Sequence, residues 1–193
     1  MIQEIYPKVF YPEYRKKKAT KENNKKSFVL HFEYNKIMLI KDALTGALSI
    51  PRFEDLEDED ENIYEKSYYV NSVDDEEFYL VDDISIPEFG GFYMEGIQAL
   101  REFEPRYQAF ASVSASQVYR WMQSRKYCGY CGTKTEKSAT ERALICPKCK
   151  YIEYPKISPA IIVAIRNGNR LLLTKNAKGV YNYYALVAGF VEV

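Results

Sequence analysis

Several features that would direct a functional assignment are scarce in this chain of 193 residues. Histidine occurs once, at His31 within an apolar segment, and such a histidine is more often packed than metal-ligating. Lysine plus arginine and aspartate plus glutamate balance at 27 each, so overall charge gives no attraction for nucleic acid. No apolar run approaches the roughly 20 residues of a membrane span, so we expect no membrane partner. The start shows no signal peptide, and we expect a cytoplasmic protein.

Cysteine is also scarce, but its four occurrences are grouped. Cys128 and Cys131 form one CxxC pair, Cys146 and Cys149 form a second, and fourteen residues separate the pairs. This spacing is typical of a four-thiolate zinc ribbon, in which each pair forms a tight turn that aims two sulfurs at one point. A closed four-sulfur site leaves no open coordination position, so we expect the zinc to be structural.

The four cysteines also allow other interpretations. Disulfides need an oxidising compartment, and thiol redox chemistry needs one pair after a strand rather than two facing pairs. Iron stays open, because tetrahedral sulfur suits both metals. Four thiolates around one zinc carry a net charge of about −2, which nearby cations are expected to offset; these are Lys134, Arg142, Lys148 and Lys150. Gly132 suits the left-handed backbone after the first pair, whereas Lys150, at the equivalent place, fits less well.

Residues 1–113 predict an α+β domain with one small sheet. One strand is expected within residues 1–14, and a basic run (Arg15–Lys26) and an acidic run (Glu54–Glu61) are interpreted as solvated loops. The other predicted elements are strands at Phe28–Phe32, Lys36–Ile40, Tyr68–Val70 and Phe78–Val81, and a short helix within Phe92–Glu102.

Residues 114–126 predict a helix that connects this domain to the ribbon at 127–155. Ser114–Gln117 has the form of a capping box, and Val118, Trp121 and Met122 have the spacing of one buried face.

Residues 156–193 predict the beginning of another sheet. An apolar run (Ile157–Arg166), the hairpin signal Asn167-Gly168 and a return strand (Arg170–Thr174) are followed by a third strand at Tyr183–Ala188. Three strands without a covering layer cannot bury a two-sided core, so we expect a longer protein to have been cut at Val193.

The last third of the chain contains five motifs in a fixed order. They are Tyr127–Gly132, Cys146–Cys149, Tyr154-Pro155, Ile157–Ile165 and Leu186–Val193. Together they resemble the NADH pyrophosphatase branch of the Nudix hydrolases, over about residues 116–193. The preceding part fits loosely, as the variable domain before the ribbon in that family. The resemblance implies an α+β chain with a small N-terminal domain, the zinc ribbon and the first strands of a Nudix α/β/α sandwich.

The resemblance also implies a reaction. The family hydrolyses the pyrophosphate of NADH and NAD to nicotinamide mononucleotide and AMP, and bacterial members remove the NAD cap from RNA. Magnesium or manganese neutralises phosphate oxygens and activates the attacking water. Relatives form homodimers.

The chain departs from the family pattern at the Nudix box, and this limits its expected hydrolase activity. The Nudix box reads G-x5-E-x7-R-E-x-x-E-E-x-G, and Gly189 resembles its first residue. The chain ends four positions later, and Glu192 lies inside the x5 stretch, where it does not replace a box glutamate. We therefore place no catalytic residue within the chain and predict that residues 1–193 alone are inactive.

Substrate-side positions are carried over from the resemblance singly. Tyr154 resembles a tyrosine that contacts the dinucleotide. Phe190 resembles a phenylalanine that stacks on a substrate ring, and Glu141 resembles a glutamate that contacts the substrate. Ala188 resembles the residue whose backbone carbonyl reaches a catalytic metal. The alternative for both aromatic residues is ordinary packing.

A second hypothesis makes the chain a non-catalytic zinc-ribbon module that binds nucleic acid or protein. Zinc ribbons commonly touch such partners, and lysines of the ribbon could meet phosphates; these are Lys134, Lys137, Lys148 and Lys150. A third interpretation, compatible with the enzyme, makes the ribbon a strut that supplies folding energy.

Overall fold

The computed structural model describes residues 3–87, 89–178 and 182–191. They fold as two units, the first ending at Pro155 and the second beginning at Lys156. The class is α+β, as predicted. Strands of the first unit are β1 (Phe10–Tyr11), β2 (Phe28–Leu30), β3 (Phe32–Glu33), β4 (Lys36–Lys41), β5 (Leu48–Ser49), β6 (Ser67–Val73), β7 (Glu76–Val81), β8 (Phe92–Gly96), β9 (Glu136–Lys137), β10 (Leu144–Ile145) and β11 (Ile152–Glu153). Its helices are α1 (Lys21–Asn24), α2 (Ile63–Lys66) and α3 (Arg106–Ser124), with 3-10 turns at Phe53–Asp55 and Ile97–Arg101.

The N-terminal part contains two sheets rather than the single small sheet predicted. The first has the order β1-β6-β7-β2, with β2 parallel to β7. In the second, β3 and β5 pair with one edge of β4, and β8 pairs with the other edge. The chain passes from the first sheet to the second at His31, between β2 and β3.

Both faces of the first sheet are buried, because alternate side chains of a strand point to opposite faces. Phe78 and Leu80 of β7 join the core under α3, whereas Tyr79 and Val81 join a core under the segment 53–64. The same alternation occurs in β4. A slip of one residue would move each side chain into the other core, so this arrangement fixes the register of the central strands.

The long helix α3 begins eight residues before the predicted start at Ser114. Its N-terminal half is rich in small buried residues, including Ala109, Ala111 and Ala115, which let the helix approach β6 and β7 closely. Asn71 of β6 donates its side-chain amide to the Ala111 carbonyl at 3.1 Å. The Ser114 signal was overridden by this packing, whereas the predicted buried face at Val118, Trp121 and Met122 is confirmed.

The helix predicted within Phe92–Glu102 is wrong. Residues Phe92–Gly96 form β8, which pairs with β4 from Phe92↔Ile40 to Gly96↔Lys36. Only a 3-10 turn, Ile97–Arg101, follows. The available edge of β4 decided the outcome, because strand pairing satisfies backbone groups along the whole segment.

The second unit consists of short antiparallel pairs. Its strands are β12 (Ala160–Val163), β13 (Arg166–Asn167), β14 (Arg170–Leu171), β15 (Thr174–Lys175), β16 (Tyr184–Ala185) and β17 (Val187–Phe190). The predicted hairpin is present, but its two turn residues are Gly168 and Asn169, with Gly168 at φ +61°. The predicted third strand divides into β16, which pairs with β15, and β17, which continues past Gly189 and pairs with β12.

Among the described residues, no helix has both the length and the apolar character that crossing a membrane requires.

Candidate metal centre and substrate-facing residues

The two CxxC pairs form nearly identical backbone turns. In the first, the Gly132 N–H donates to the Cys128 carbonyl at 2.9 Å, and the Cys128 N–H donates to the Thr133 carbonyl at 2.8 Å. In the second, Lys150 donates to the Cys146 carbonyl at 3.0 Å, and Cys146 donates to the Tyr151 carbonyl at 2.9 Å. Each turn therefore holds its first cysteine by the same two hydrogen bonds.

The position after each pair has a left-handed backbone. Gly132 has φ +72° and Lys150 has φ +63°. The prediction that Gly132 serves such a turn is confirmed. The second turn adopts the same conformation with a lysine, at the steric cost that a Cβ brings to positive φ.

The sulfurs of Cys128, Cys131, Cys146 and Cys149 all lie within 4.8 Å of one another. Three of the separations are 3.4, 3.5 and 3.6 Å. A tetrahedral zinc with Zn–S bonds of about 2.3 Å places its sulfurs about 3.8 Å apart, so this cluster fits zinc with little adjustment. A further N–H points at a sulfur in each turn: Tyr130 donates to Cys128 and Cys149 donates to Cys146, both at 3.4 Å.

The thiols differ in their ease of ionisation. Hydrogen bonding by the hydroxyl and N–H of Thr133 lowers the pKa of Cys131 to about 6. The Tyr151 N–H favours the thiolate of Cys149, but desolvation and the neighbouring thiols together raise the pKa of Cys149 to about 12. A cation is needed to hold all four as thiolates, which agrees with a metal centre. Sequence reasoning missed Thr133, although it directly follows the turn glycine.

The ribbon is attached to the residues that end α3, and two of the contacts involve Arg125. Thr135 donates its hydroxyl to the Arg125 carbonyl at 2.7 Å, and the Arg125 guanidinium pairs with the Glu153 carboxylate at 3.2 Å. These contacts join the end of the helix to the sheet β11-β10-β9. The expected link between helix and ribbon is therefore present.

Arg142 does not offset the charge of the sulfur cluster, contrary to expectation. Its guanidinium donates to the backbone carbonyls of Glu13, at 3.3 Å, and Val70. The Lys150 ammonium donates to the Pro147 carbonyl, inside the second CxxC turn, at 2.8 Å, and its role in offsetting the charge stays a prediction. Arg142 therefore fastens the ribbon loop to the N-terminal segment and to β6.

Glu141 and Tyr154, two predicted substrate-contacting residues, are neighbours. The Tyr154 hydroxyl donates to the Glu141 carboxylate at 3.1 Å, and this hydrogen bond raises the pKa of Tyr154. The Tyr154 side chain is not packed away, since about half of the residue (49%) is exposed. The pair presents an aromatic ring and a carboxylate on one open surface, which suits contact with a ligand.

Phe190 and Ala188 lie on β17 of the second unit. Ala188 pairs with Ile162 of β12, and Phe190 is 77% exposed, so its ring is not a core residue of this unit. Glu192 and Val193, the end of the matching segment, lie outside the described residues. The roles of Phe190 and Ala188 stay predictions.

His31 is buried at 3% exposure, and its Nδ1 lies 2.8 Å from the Val81 carbonyl. It is a packed residue, as the sequence indicated. Among the described residues, the only group of three or more potential metal ligands is the four cysteines.

A four-cysteine cluster on two matching turns, joined by a three-stranded sheet, defines a zinc-ribbon protein. The ribbon can be assigned more narrowly, because the family described as the NADH pyrophosphatase zinc ribbon domain matches residues 123–154. The resemblance of this chain to the NADH pyrophosphatase branch of the Nudix hydrolases is thereby confirmed, and so is the structural zinc.

Curated relatives support the same branch. The NAD-capped RNA hydrolase NudC of Pectobacterium carotovorum is 46% identical over 77 residues, which are 40% of this chain and 30% of that protein. The protein of the same name from Pseudomonas aeruginosa is 38% identical over 78 residues, 40% of this chain and 28% of that protein. That of Chromobacterium violaceum is 38% identical over 88 residues, 46% and 33% of the two chains. The chain thus spans about a third of the relatives it matches.

Proposed function

We propose that this chain is part of an NAD(H) diphosphatase of the Nudix family, which cleaves the pyrophosphate of NADH, NAD or NAD-capped RNA and releases nicotinamide mononucleotide from the free dinucleotides. The observation that carries the proposal is the exposed Tyr154–Glu141 pair beside a ribbon of the NADH pyrophosphatase type. The names of the relatives, NAD-capped RNA hydrolases, support the substrate class.

The proposed roles of the residues follow from their surfaces. Tyr154 and Phe190 supply exposed rings for the flat groups of the dinucleotide, since aromatic faces stack on nucleotide bases. Glu141 orients the Tyr154 hydroxyl and accepts hydrogen bonds from substrate hydroxyls. The Ala188 carbonyl contributes one oxygen ligand to magnesium or manganese, which favour oxygen donors.

The divalent metal supplies charge neutralisation at the phosphates and an activated water. The described residues hold no carboxylate cluster for it, and residues 190–193 include no glutamate at a Nudix-box position. We therefore propose that residues 1–193 alone bind zinc and do not hydrolyse NADH.

Further parts of the proposal concern the intact protein. We propose a cytoplasmic homodimer, in which residues 1–113 form the N-terminal domain, 114–126 the connecting helix, 127–155 the ribbon and 156–193 the beginning of the Nudix domain. Gel filtration with light scattering of the intact protein tests the dimer.

The test of the activity compares two chains. The reading frame that contains residues 1–193, with whatever sequence follows, is expressed beside residues 1–193 alone. With magnesium or manganese, we expect the longer product to release AMP from NADH and the shorter one to release none. If the longer product carries a complete Nudix box yet leaves NADH, NAD and NAD-capped RNA intact, the proposal fails.

Two variants of the active protein separate substrate contact from a supporting role. Tyr154→Ala removes the ring and should raise KM for NADH, whereas Tyr154→Phe keeps the ring and loses only the bond to Glu141. Unchanged KM and kcat in Tyr154→Ala would remove this residue from the substrate site. A non-catalytic binding module is the alternative, and it is favoured if the reading frame stops at Val193.

A further inference from the structure

The first four residues of the basic run, beginning at Arg15, line a groove next to the ribbon. The groove has a volume of about 450 Å³. We call it the basic groove, and its lining residues are Tyr14, Arg15, Lys16, Lys17, Lys18, Glu65, Lys66, Ser67, Tyr68, Tyr69, Lys137 and Ser138. Six of these side chains are cationic and one is acidic.

The later part of the basic run is neutralised elsewhere. Lys21 and Lys25 approach the Glu57 carboxylate of the acidic run at 3.5 and 3.1 Å. The later lysines of the basic run are therefore paired with the acidic run. The excess positive charge lies in the segment before α1.

Within the basic groove, some cations are also paired. Lys17 binds Glu77 at 2.6 Å, and Lys66 binds Asp60 at 2.7 Å. Arg15 binds Glu13 and lies over the Tyr69 ring.

Three lysines of the groove form no salt bridge within the part of the chain that the structure describes. They are Lys16, Lys18 and Lys137, and the Lys137 ammonium lies over the Tyr68 ring at 4.6 Å. Lys16 and Lys18, which form no salt bridge among the described residues, thus line one groove together with Lys137, whose charge interacts with Asp82. This excess of positive charge is the electrostatic footprint of a polyanion site.

Two of the three tyrosines that line the groove offer little stacking surface, and the third, Tyr14, is only partly exposed. Tyr69 is 1% exposed, and the ring of Tyr68 is covered by Lys137. A ligand in the groove is therefore held mainly through its phosphates, so binding should depend strongly on salt and little on sequence.

The groove adjoins the Tyr154–Glu141 pair through one turn of the ribbon. The Ser138 N–H donates to the Ala143 carbonyl at 2.9 Å, which closes the turn that carries Glu141. Ser138 and Lys137 at one end of this turn line the groove. On its other side, Arg142 donates to the carbonyl of Glu13, directly before the groove-lining Tyr14.

We propose that the basic groove binds the phosphodiester backbone of single-stranded RNA whose NAD cap is held at the Tyr154–Glu141 pair. The inference rests on the proposed function, because it takes the capped end of the RNA as the substrate. It adds the site that distinguishes capped RNA from free NADH.

The binding test uses zinc-loaded residues 1–193 and a fluorescent single-stranded RNA of about 10 nucleotides, within the usual footprint of such sites. The variant Lys16→Gln/Lys18→Gln removes two unpaired charges. Its control, Lys36→Gln/Lys41→Gln, removes two exposed lysines of β4, outside the groove. Affinity is measured by anisotropy as salt rises from 50 to 200 mM.

We expect the groove variant to bind more weakly and its salt slope to be smaller by about 1.4, at about 0.7 per phosphate contact on a single strand. Over this range the unmodified chain then loses about sevenfold more affinity than the variant. Runs of adenine and of uracil should bind alike. Equal weakening in the control, an unchanged slope in the groove variant, or equal competition by an acidic peptide of the same charge would overturn the proposal.

A second measurement keeps the two proposals distinguishable. In the longer, active protein, the groove variant should raise KM for NAD-capped RNA and leave kcat/KM for NADH unchanged. Loss of both activities would point to misfolding, which a lowered Tm would show, and would count against the groove. If NADH is not hydrolysed while lysine-dependent RNA binding persists, the diphosphatase fails and the groove stands as an RNA site.

Discussion

The left-handed residues of the two zinc turns give the sharpest test of why this ribbon folds. Gly132 and Lys150 occupy equivalent places at φ +72° and +63°, but only the first is a glycine. A side chain at such a φ costs about 1–2 kcal/mol. Glycine in turn loses about 0.5–1 kcal/mol more than alanine when the chain is ordered. The net effect of exchanging glycine for alanine at either place is therefore about 0.5–1 kcal/mol.

Two variants exploit this difference. An alanine Cβ at Gly132 would meet nothing within 4 Å, so Gly132→Ala isolates backbone strain from steric contact. Lys150→Gly relieves the strain of the second turn. Both Lys150→Gly and its control Lys150→Ala lose the bond from the Lys150 ammonium to the Pro147 carbonyl, so their difference reports the backbone alone.

The assay is zinc affinity, because a structural zinc binds and folds its site together. A chromophoric chelator competes for zinc with each variant of residues 1–193. Gly132→Ala should bind zinc about two- to fivefold more weakly than the unmodified chain, and Lys150→Gly about two- to fivefold more tightly than Lys150→Ala. Equal affinities for Lys150→Gly and Lys150→Ala would refute the reasoning, since the left-handed backbone would then carry no cost.

Further predictions concern the metal and the loop beyond it. Zinc affinity should fall as pH falls, because thiols must lose their protons to bind the metal. The fall should be steeper below pH about 6, where Cys131 also becomes protonated. At pH 7, zinc binding should release the proton that Cys149 holds. A chelator titration across pH with proton counting checks both, and a pH-independent affinity contradicts them. Arg142→Ala should destabilise the zinc-loaded chain by about 1–3 kcal/mol, since the carbonyls of Glu13 and Val70 lose a charged donor. Thermal unfolding measures this loss, and a large fall in zinc affinity in Arg142→Ala would show that Arg142 acts on the metal instead.

Segments whose structure depends on nearby residues were predicted well. The hairpin after Arg166 was expected from Asn167-Gly168 and is present, although its turn lies one residue later. The strands β6 and β7 were predicted from short apolar and aromatic runs on either side of a polar turn, because both faces of these strands are buried. The helix predicted within Phe92–Glu102 failed because a distant partner, β4, determined that segment.

The sequence by itself determined the metal centre of this protein. Each CxxC turn is closed by hydrogen bonds that span at most five residues, so spacing alone predicts where the sulfurs point. Only the tertiary structure decided what surrounds that centre. It placed the Tyr154 hydroxyl on Glu141, carried Arg142 to carbonyls 72 and 129 residues away in the chain, and set Lys137 against the basic run. These contacts depend on how the ribbon packs on the N-terminal sheets, and packing between distant segments leaves no periodic or spacing signal in the chain.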